Sequence, residues 1–437
     1  MSSPAPTAAA EAEELLRSLI RFDTVNPPGN ERAAQEHLAA HLTAAGFECE
    51  LLGAVPERPN LIARLRGEQD GPTLCYLGHV DTVLANAADW SHGPWSGDLA
   101  DGFIWGRGAL DMKDQVAAEI AAAASLARSG WRPRRGELLI VTVVDEETGG
   151  ELGAQWITQT HPEKVRCDLL VNEGGGAVFE LGAQRCYGVC CAEKGVFRFT
   201  LTTSGVAGHA SMPGMGENAL LKMAPLLERL GSRQPDLRPT AEPLAFLRGI
   251  GEDPDDPAGA IERLGAADPR LAVMFAPMFG VTFTPTRIRA SEKVNVIPSR
   301  AELKVDCRVP PGLGEEEVRA DVAALLGPED GWALEFTEKV VGNRSPVQSE
   351  LMDTISAWVA EHDPGARAVP VVLPGFTDSR HFRTAFPDCV AYGFFPQRHQ
   401  SLLEGTPLIH GADERIDVRD LAYATKLFTD LAVRILG

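Results

Sequence analysis

The sequence has no apolar stretch long enough to span a bilayer, and its first ten residues lack the basic start and apolar core of a signal peptide. We therefore expect a cytoplasmic protein with no membrane partner. Basic residues are also scarce, since 41 Lys and Arg stand against 61 Asp and Glu, giving a formal net charge of −20. This excess of acid argues against nucleic acid as a partner, because phosphates repel it.

The eight cysteines include no CxxC pair. Cys190 and Cys191 are adjacent, which is poor geometry for a mutual disulfide, so we expect reduced thiols. We interpret Cys186, Cys190 and Cys191 as small hydrophobic residues of a strand, with a zinc site as the alternative. The cysteines therefore predict neither a disulfide framework nor a redox motif.

The 437 residues exceed what one hydrophobic core usually serves, so we expect more than one domain. Over residues 1–191, apolar runs of strand length alternate with helical segments, which predicts the first part of a catalytic domain with a doubly wound, mixed α/β sheet. Alternating apolar and polar residues predict an inserted α+β domain over 192–340, and the α/β pattern resumes over 341–437. The Pro-, Asp- and Gly-rich segment 231–270 is interpreted as loops with one short helix.

Carboxylates and histidines follow the ends of successive apolar runs. They are His79, Asp81, Asp111, Glu146, Glu147, Glu173 and, far downstream, His410. Because a parallel sheet brings the carboxyl ends of neighbouring strands to one crevice, we expect these side chains to meet. Imidazoles and carboxylates together suit divalent zinc, cobalt or manganese. The pattern predicts hydrolysis of a polar bond by metal-activated water.

Spacing gives some of these residues a more specific interpretation. His79 and Asp81 lie two apart on a strand and share a face, and a carboxylate beside a metal-binding imidazole fixes its tautomer. Asp111 precedes a helix, where it would serve either as an N-cap or as a bridge between two metals, and the motif favours neither. Glu146 and Glu147 belong to a run of three acids, which repel one another unless a cation lies nearby. The alternative for that run is a charged loop in solvent.

The segments that carry these residues, GHVDTV, GRGALDMKD, DEETGG, NEGGG and HGADERI, resemble those of one family. It is metallopeptidase family M20, the dinuclear metal hydrolases that include acetylornithine deacetylase, succinyl-diaminopimelate desuccinylase, carboxypeptidase G and aminoacylase-1. The segments FDTVNPPGNE, GVAGHASMP and NVIPSRAELKVDCRVPPG are similar as well, so the resemblance covers nearly the whole chain in order. It implies that the inserted domain is a lid that also forms a homodimer.

The resemblance also implies how the ligands are shared between two divalent metal ions. His79 and Glu173 would hold one ion, Glu147 and His410 the other, and Asp111 would bridge them. Zinc is the expected metal, with cobalt or manganese as alternatives.

Further roles are implied by the same resemblance. Glu146 would be the general base, Asp81 would orient His79, and the lid residue His209 would stabilise the oxyanion of the substrate. The substrate would be bound by Asn295, Arg308, Gly375, Thr377 and Arg380.

Charge counting limits the substrate. Two divalent ions bring four positive charges, and the surrounding carboxylates more than balance them. A substrate carboxylate would then need fixed cations such as Arg308 or Arg380, which can bind it bidentately. We expect hydrolysis of an amide bond in a small carboxylate-bearing substrate, either a dipeptide or an N-acyl amino acid. The alternative is a catalytically weak, metal-braced protein that binds a peptide or metabolite, although Glu146, as a proton shuttle, favours the enzyme.

Overall fold

A computed structural model describes residues 7–437 and divides them into two compact units. The first unit includes residues 7–191, Ser345–Val371 and Thr377–Gly437. The second unit includes Ala192–Arg344 and Val372–Phe376. The chain passes from the first unit to the second between residues 191 and 192, and Ser345 again belongs to the first unit. The sequence places the domain boundaries at 191/192 and 340/341, and these boundaries stay a prediction.

Helices and strands occur throughout the described residues. The helices there are α1 (Ala8–Arg21), α2 (Arg32–Ala45), α3 (Lys113–Arg128), α4 (Ala154–Thr160), α5 (Pro162–Val165), α6 (Ala219–Ser232), α7 (Ala241–Ile250), α8 (Pro257–Ala267), α9 (Pro269–Phe275), α10 (Glu315–Leu326), α11 (Glu350–His362), α12 (Ser379–Ala385), α13 (Leu402–Gly405) and α14 (Val418–Leu436). The strands there are β1 (Glu48–Val55), β2 (Arg58–Arg66), β3 (Gln69–His79), β4 (Asp98–Ala100), β5 (Phe103–Trp105), β6 (Arg135–Val143), β7 (Leu169–Asn172), β8 (Val178–Leu181), β9 (Gln184–Glu193), β10 (Gly195–Val196), β11 (Phe199–Ser204), β12 (Gly208–His209), β13 (Thr282–Arg289), β14 (Val296–Ile297), β15 (Arg300–Val309), β16 (Trp332–Phe336), β17 (Asn343–Arg344), β18 (Arg367–Leu373), β19 (Val390–Gly393) and β20 (Arg415–Asp417).

The first unit is built on a mixed sheet with the strand order β1-β2-β6-β3-β7-β19-β9. Strands β6, β3, β7 and β19 are parallel to one another, and the pairs β1–β2, β2–β6 and β19–β9 are antiparallel. In the central pair, His79 of β3 lies opposite Val143 of β6, so both strands end at the same edge. The predicted α/β fold with a mixed sheet is confirmed.

Helices cover both faces of this sheet. On one face, Cys75 and Leu77 of β3 share a buried cluster with residues of α4 and α12. On the other face, the hydroxyl of Tyr76 donates to the backbone carbonyl of Phe428 in α14 at 2.6 Å. Gly78 lets α3 approach the sheet closely, because a Cβ there would lie 2.7 Å from Cγ2 of Val116. This approach sets the position of the residues just before α3, where Asp111 lies.

A small three-stranded sheet, β20-β5-β4, joins two distant parts of the first unit. Arg415 of β20 pairs with Trp105 of β5 in antiparallel register, and the Arg415 guanidinium lies 4.5 Å from the centre of the Trp105 ring. Cation–aromatic contacts of this kind add to the backbone pairing. The pairing brings the loop before β20, which contains His410, beside the loop after β5, which contains Asp111.

The second unit has a sheet with the order β10-β15-β11-β16, and β13 also pairs with β15. The interpretation of 231–270 as loops with one short helix is wrong, because α7, α8 and the start of α9 occupy much of this segment. The Asp256 side chain accepts from the Gly259 amide at the start of α8, and Asp268 accepts from the Arg270 amide at the start of α9. The Asp and Pro residues that suggested loops are therefore helix-starting residues.

The eight cysteines all lie within residues 7–437, and none of them forms a disulfide there. Cys186, Cys190 and Cys191 are buried in β9, and the groups of possible metal ligands found among residues 7–437 do not include them. Across the same residues, each helix is too short or too polar to cross a membrane.

Candidate metal centre

The predicted ligands converge at one edge of the sheet in the first unit. His79 ends β3, Glu146 and Glu147 follow β6, and Glu173 follows β7. These strands are parallel neighbours, so their carboxyl ends lie together. The loops before α3 and β20 add Asp111 and His410.

The side chains form two groups, and within each group the possible ligand atoms lie within 4.8 Å of one another. In the first group, Nε2 of His79 is 3.8 Å from Oε1 of Glu173 and 4.0 Å from Oε2 of Glu146. The second group contains Asp111, Glu147 and His410, and Nε2 of His410 is 3.2 Å from Oε2 of Glu147. Glu146 is thus one of the possible ligands in the first group. The resemblance implied a general base at this position and not a ligand.

The Asp111 carboxylate faces both histidines. Its Oδ1 is 3.1 Å from Nε2 of His79, and its Oδ2 is 3.1 Å from Nε2 of His410. Of the two roles that the sequence left open, N-capping of α3 is not seen, because Met112 is the N-cap residue and no side-chain cap bond is present. The geometry is that of a carboxylate placed between two ligand groups.

Asp81 contacts both the imidazole and the acidic loop. Nδ1 of His79 lies 3.0 Å from the backbone carbonyl of Asp81, which directs Nε2 towards the carboxylates. The two carboxylate oxygens of Asp81 accept from the backbone amides of Glu146, at 3.2 Å, and Glu147, at 3.1 Å. Asp81 therefore also fixes the loop that carries both glutamates, a contact that the strand spacing did not indicate.

Sequence reasoning missed a buried polar network behind Asp81. Nδ2 of Asn26 donates to Oδ2 of Asp81 at 2.9 Å and to Oδ1 of Asp145 at 3.1 Å. Nη1 of Arg58 donates to the same Asp145 oxygen at 3.1 Å, and Nε of Arg58 donates to Glu31 at 2.9 Å. Asn26 and Glu31 lie in the segment FDTVNPPGNE, whose resemblance to the family could have indicated a role for them. Arg58 lies in no such segment. Arg58 supplies positive charge to a cluster that is otherwise acidic.

The electrostatics of the centre show a shortage of positive charge. Burial alone would lower the pKa of His79, but its bonds to Asp111, Asp81 and Glu173 raise that pKa well above the usual value. Hydrogen bonds to Asp111 and Glu147 raise the pKa of His410 to about 10. Burial, with Asp111 nearby, raises the pKa of Glu173 to about 7. In the metal-free centre, protons on these side chains offset the charge of the carboxylates. Bound cations would offset the same charge in their place.

The donor set fits two divalent ions. Imidazole nitrogens and carboxylate oxygens are the ligands that zinc and similar transition metals take in proteins. Each group offers one imidazole, and Asp111 offers one oxygen to each. Two ions would also supply the positive charge that the buried acids lack.

The predicted substrate residues Thr377 and Arg380 lie in the first unit, and Gly375 belongs to the second unit. Nη2 of Arg380 donates to the carbonyl of Gly149 at 2.8 Å, two residues after Glu147. Oγ1 of Thr377 accepts from Nδ2 of Asn172 at 3.2 Å. The structure thus brings Arg380 to the turn that follows the glutamates.

The other predicted residues, His209, Asn295 and Arg308, belong to the second unit. His209 is exposed on β12, its Nδ1 is 2.7 Å from Oγ of Ser211, and the amide of Ala210 donates to the carbonyl of Asn295 at 3.1 Å. The structure therefore brings His209 and Asn295 to one two-stranded ribbon. Nε of Arg308 donates to Asp306 at 2.7 Å on β15.

Comparison with known proteins places the chain in a family. Residues 75–434 match peptidase family M20/M25/M40. The chain belongs to this family. The resemblance drawn from the sequence is confirmed, and this M20 protein is a hydrolase, which favours the enzyme over the binding protein.

Two relatives of this M20 chain are named succinyl-diaminopimelate desuccinylase. The one from Xanthobacter autotrophicus is 27% identical over 433 residues, covering 96% of this chain and 98% of the relative. The one from Cereibacter sphaeroides is 27% identical over 415 residues, covering 93% and 94%.

Solved M20 structures have a similar fold. The metallo-carboxypeptidase Sso-CP2 from Sulfolobus solfataricus has a TM-score of 0.68 at 16% identity and covers 97% of this chain and 98% of that one. Human carnosine dipeptidase 1 has a TM-score of 0.68 at 15% identity and covers 99% and 100%. A Bacillus subtilis M20 peptidase described as dinuclear metal-binding has a TM-score of 0.59 at 16% identity and covers 98% of each chain. At these identities the likeness concerns the fold.

Proposed function

We propose that this M20 hydrolase uses two divalent ions, with zinc as the expected metal, to cleave an amide bond in a small carboxylate-bearing substrate. The observation that carries the proposal is the Asp111 carboxylate, whose two oxygens each lie 3.1 Å from a different imidazole. A carboxylate shared in this way suits the short separation of a two-metal site, about 3.5–4 Å. Cobalt or manganese would be held by the same donors.

The ligands divide as the two groups suggest. His79 and Glu173 would hold one ion, Glu147 and His410 the other, and Asp111 would bridge them. Bound ions of this type polarise the substrate carbonyl and lower the pKa of a water molecule towards about 7.

Glu146 is proposed as the general base. Its carboxylate takes the proton of the attacking water and passes it to the leaving amine. In the metal-free centre, burial and the nearby Glu173 raise the pKa of Glu146 well above its usual value. The positive charge of two bound ions would lower it again, so that the carboxylate would then accept the proton of the water. Asp81 supports the reaction by orienting His79 and by holding the backbone of Glu146.

The substrate proposal includes two classes of amide. The relatives that cover nearly the whole chain are named desuccinylases, which favours an N-acyl amino acid. The similar solved structures are named as a dipeptidase and a carboxypeptidase, which favours a peptide. Both classes carry a carboxylate. The proposed substrate side chains are His209 for the oxyanion and Asn295, Arg308, Gly375, Thr377 and Arg380 for the remainder of the substrate.

A homodimer through the second unit is proposed as well. Large apolar side chains are exposed there at Met215, Leu221 and Val294, which are 69%, 70% and 102% exposed. Large apolar side chains left exposed on one unit are candidates for a protein interface. Light scattering would check the mass, and a monomer at all concentrations would contradict this part of the proposal.

Glu146→Gln tests the proposed chemistry. We expect turnover to fall by about 10²–10⁴-fold, the usual contribution of a positioned acid–base group. The metal content should stay unchanged, since the proposed ligands remain. Glu151→Gln, at an exposed position of the same loop, is the matched control and should keep full turnover. Full turnover by Glu146→Gln would remove the proposed base.

The substrate class is tested by a screen of N-acyl amino acids and dipeptides, each beside its carboxamide analogue. We expect turnover of the carboxylate forms only, and loss of that turnover with a chelator. Arg380→Ala should raise KM for the carboxylate forms, and an equal loss on neutral amides would contradict its role. Two bound ions without turnover on either class would favour the binding protein instead.

A further inference from the structure

Arg107 and Glu414 form a buried ion pair between the loops that carry Asp111 and His410. Nη1 of Arg107 donates to Oε2 of Glu414 at 2.6 Å, and the side chains are 3% and 0% exposed. Sequence reasoning gives neither residue a role, although both lie in segments that match the family. A buried pair of this kind does not by itself imply added stability, because removing both charges from water costs about as much as their attraction returns. Its contacts point to another use.

Each partner of the pair reaches the backbone of a proposed ligand on the opposite loop. Oε1 of Glu414 accepts from the amide of Leu110 at 2.7 Å and from the amide of Asp111 at 3.2 Å. Nη2 of Arg107 donates to the carbonyl of His410 at 3.3 Å. The loop after β5 thus holds His410, and the loop before β20 holds Asp111. Charge-assisted bonds such as these are about twice as strong as neutral ones.

The backbone of the His410 loop depends on such contacts. His410 and Asp413 both have φ of 59°, a left-handed conformation that is strained for a residue other than glycine. The His410 side chain is 52% exposed, so packing around it does little to impose that conformation. Asp413 is held by the amide and the hydroxyl of Ser91, at 2.6 and 2.8 Å. At His410, the bond to Arg107 holds the carbonyl.

The first ligand group depends on this pair only through Asp111, whose Oδ1 faces His79. His79 and Glu173 lie at the ends of sheet strands, and His79 is 1% exposed. Two members of the second group, Asp111 and His410, lie on the loops that Arg107 and Glu414 connect.

We propose that Arg107 and Glu414 are positioning residues that hold the second ligand group in a metal-binding arrangement. The affinity for the ion that Glu147 and His410 would hold then depends on this pair more strongly than the affinity for the ion that His79 and Glu173 would hold. The inference rests on the proposed two-ion function. It concerns how that centre is assembled, not which substrate it cleaves.

Glu414→Gln is the variant that tests the pair. The amide can still accept from Leu110, but it leaves the buried charge of Arg107 without a counterion. The metal-free protein is titrated with Zn²⁺, and bound ions are counted by equilibrium dialysis and their affinities measured by calorimetry. We expect the wild type to bind two ions. In Glu414→Gln, one ion should bind with an affinity within a few-fold of wild type, and the other about 10–100-fold more weakly, the range for loss of an outer-shell partner.

Glu11→Gln is the matched control, because Glu11 is 8% exposed and also pairs with a guanidinium, that of Arg128, away from the ligands. Both affinities should be unchanged in this variant, and thermal unfolding of the metal-free proteins measures what each substitution costs the fold.

Three outcomes overturn the inference: equal weakening of both ions in Glu414→Gln, no weakening of either, or a failure to fold shared by Glu414→Gln and Arg107→Lys. Arg107→Lys covers the case in which Glu414→Gln alone does not fold. It keeps the charge, but its single ammonium cannot replace the planar fork of guanidinium donors, and the same selective loss is expected. A wild-type protein that binds no pair of ions counts against the proposed function instead.

Discussion

His79 and His410 occupy equivalent places, each with Nε2 at 3.1 Å from one oxygen of Asp111, but the protein around them differs. His79 ends a central strand, is 1% exposed, and has its other nitrogen 3.0 Å from a backbone carbonyl. His410 lies in a loop, is 52% exposed and has a left-handed backbone. The comparison teaches that a sheet can present one ligand group through its regular geometry. The other group depends on a few side-chain contacts.

The largest effect is expected where the two groups meet. Asp111→Asn removes the charge that faces both imidazoles, so we expect both ions to bind more than about 100-fold more weakly, beyond the range for an outer-shell partner. Turnover should be lost at the same time. Equilibrium dialysis and activity assays check both expectations, with Asp70→Asn at an exposed position as the control. Loss of only one ion would show that the groups are independent and that Asp111 does not bridge them.

A smaller effect concerns the free energy of unfolding, which should differ between variants of the two histidines. His79→Ala leaves a cavity and unpaired carboxylates in a buried site, so we expect the metal-free protein to lose about 1–3 kcal/mol of unfolding free energy. His410→Ala removes a half-exposed side chain, so the loss should be under about 1 kcal/mol. Urea unfolding of the two variants makes this comparison. Equal losses would contradict the division into a buried sheet-borne group and an exposed loop-borne group.

The last effect concerns pH and is graded, since it grows with the number of protons displaced. A metal ion has to displace a proton from His410 below about pH 10, because bonds to Asp111 and Glu147 raise the pKa of His410 to about 10. Metal affinity should therefore fall as the pH is lowered, by up to about tenfold per unit for each displaced proton. The first group displaces protons from His79 and, below about pH 7, from Glu173, whose pKa burial raises to about 7. Its ion should show the steeper dependence.

Calorimetry between about pH 6 and 8, in buffers of different ionisation enthalpy, counts the protons released by each ion. The metal-free protein should behave in the opposite way. The raised pKa of His410 stabilises the fold below its ordinary value of 6.5, and this stability is lost as the pH rises through about 10. Metal affinity that does not change with pH would contradict protonated imidazoles in the metal-free centre.

Much of the sheet could be predicted from the sequence because its strands are continuous apolar runs. Strands β3, β6 and β7 were expected, as was α3, and the acids that follow them identified the edge where the ligands meet. Only one short helix was predicted where α7, α8 and the start of α9 lie, because the Asp and Pro residues that start helices also occur in loops. Local composition does not distinguish these two uses.

The candidate site was predicted as a set of positions, but its internal contacts were not. The sequence left Asp111 either as an N-cap or as a bridge, since a residue before a helix suits both roles. Arg58 gave no signal, because it belongs to no motif and its partner Asp145 lies 87 residues away. Arg107 and Glu414 lie 307 residues apart, so their pairing could not be read from spacing.

By itself, the sequence determined which side chains end each strand, because side-chain period and apolar runs are local properties of the chain. It also determined which types of metal ligand are available, namely two imidazoles and several carboxylates. Only the tertiary structure decided which carboxylate faces both imidazoles and which buried cations support the ligand loops. Those contacts depend on how distant loops come together through the small sheet of β5 and β20, and hydrogen-bond geometry over such a separation is set by packing of the whole unit.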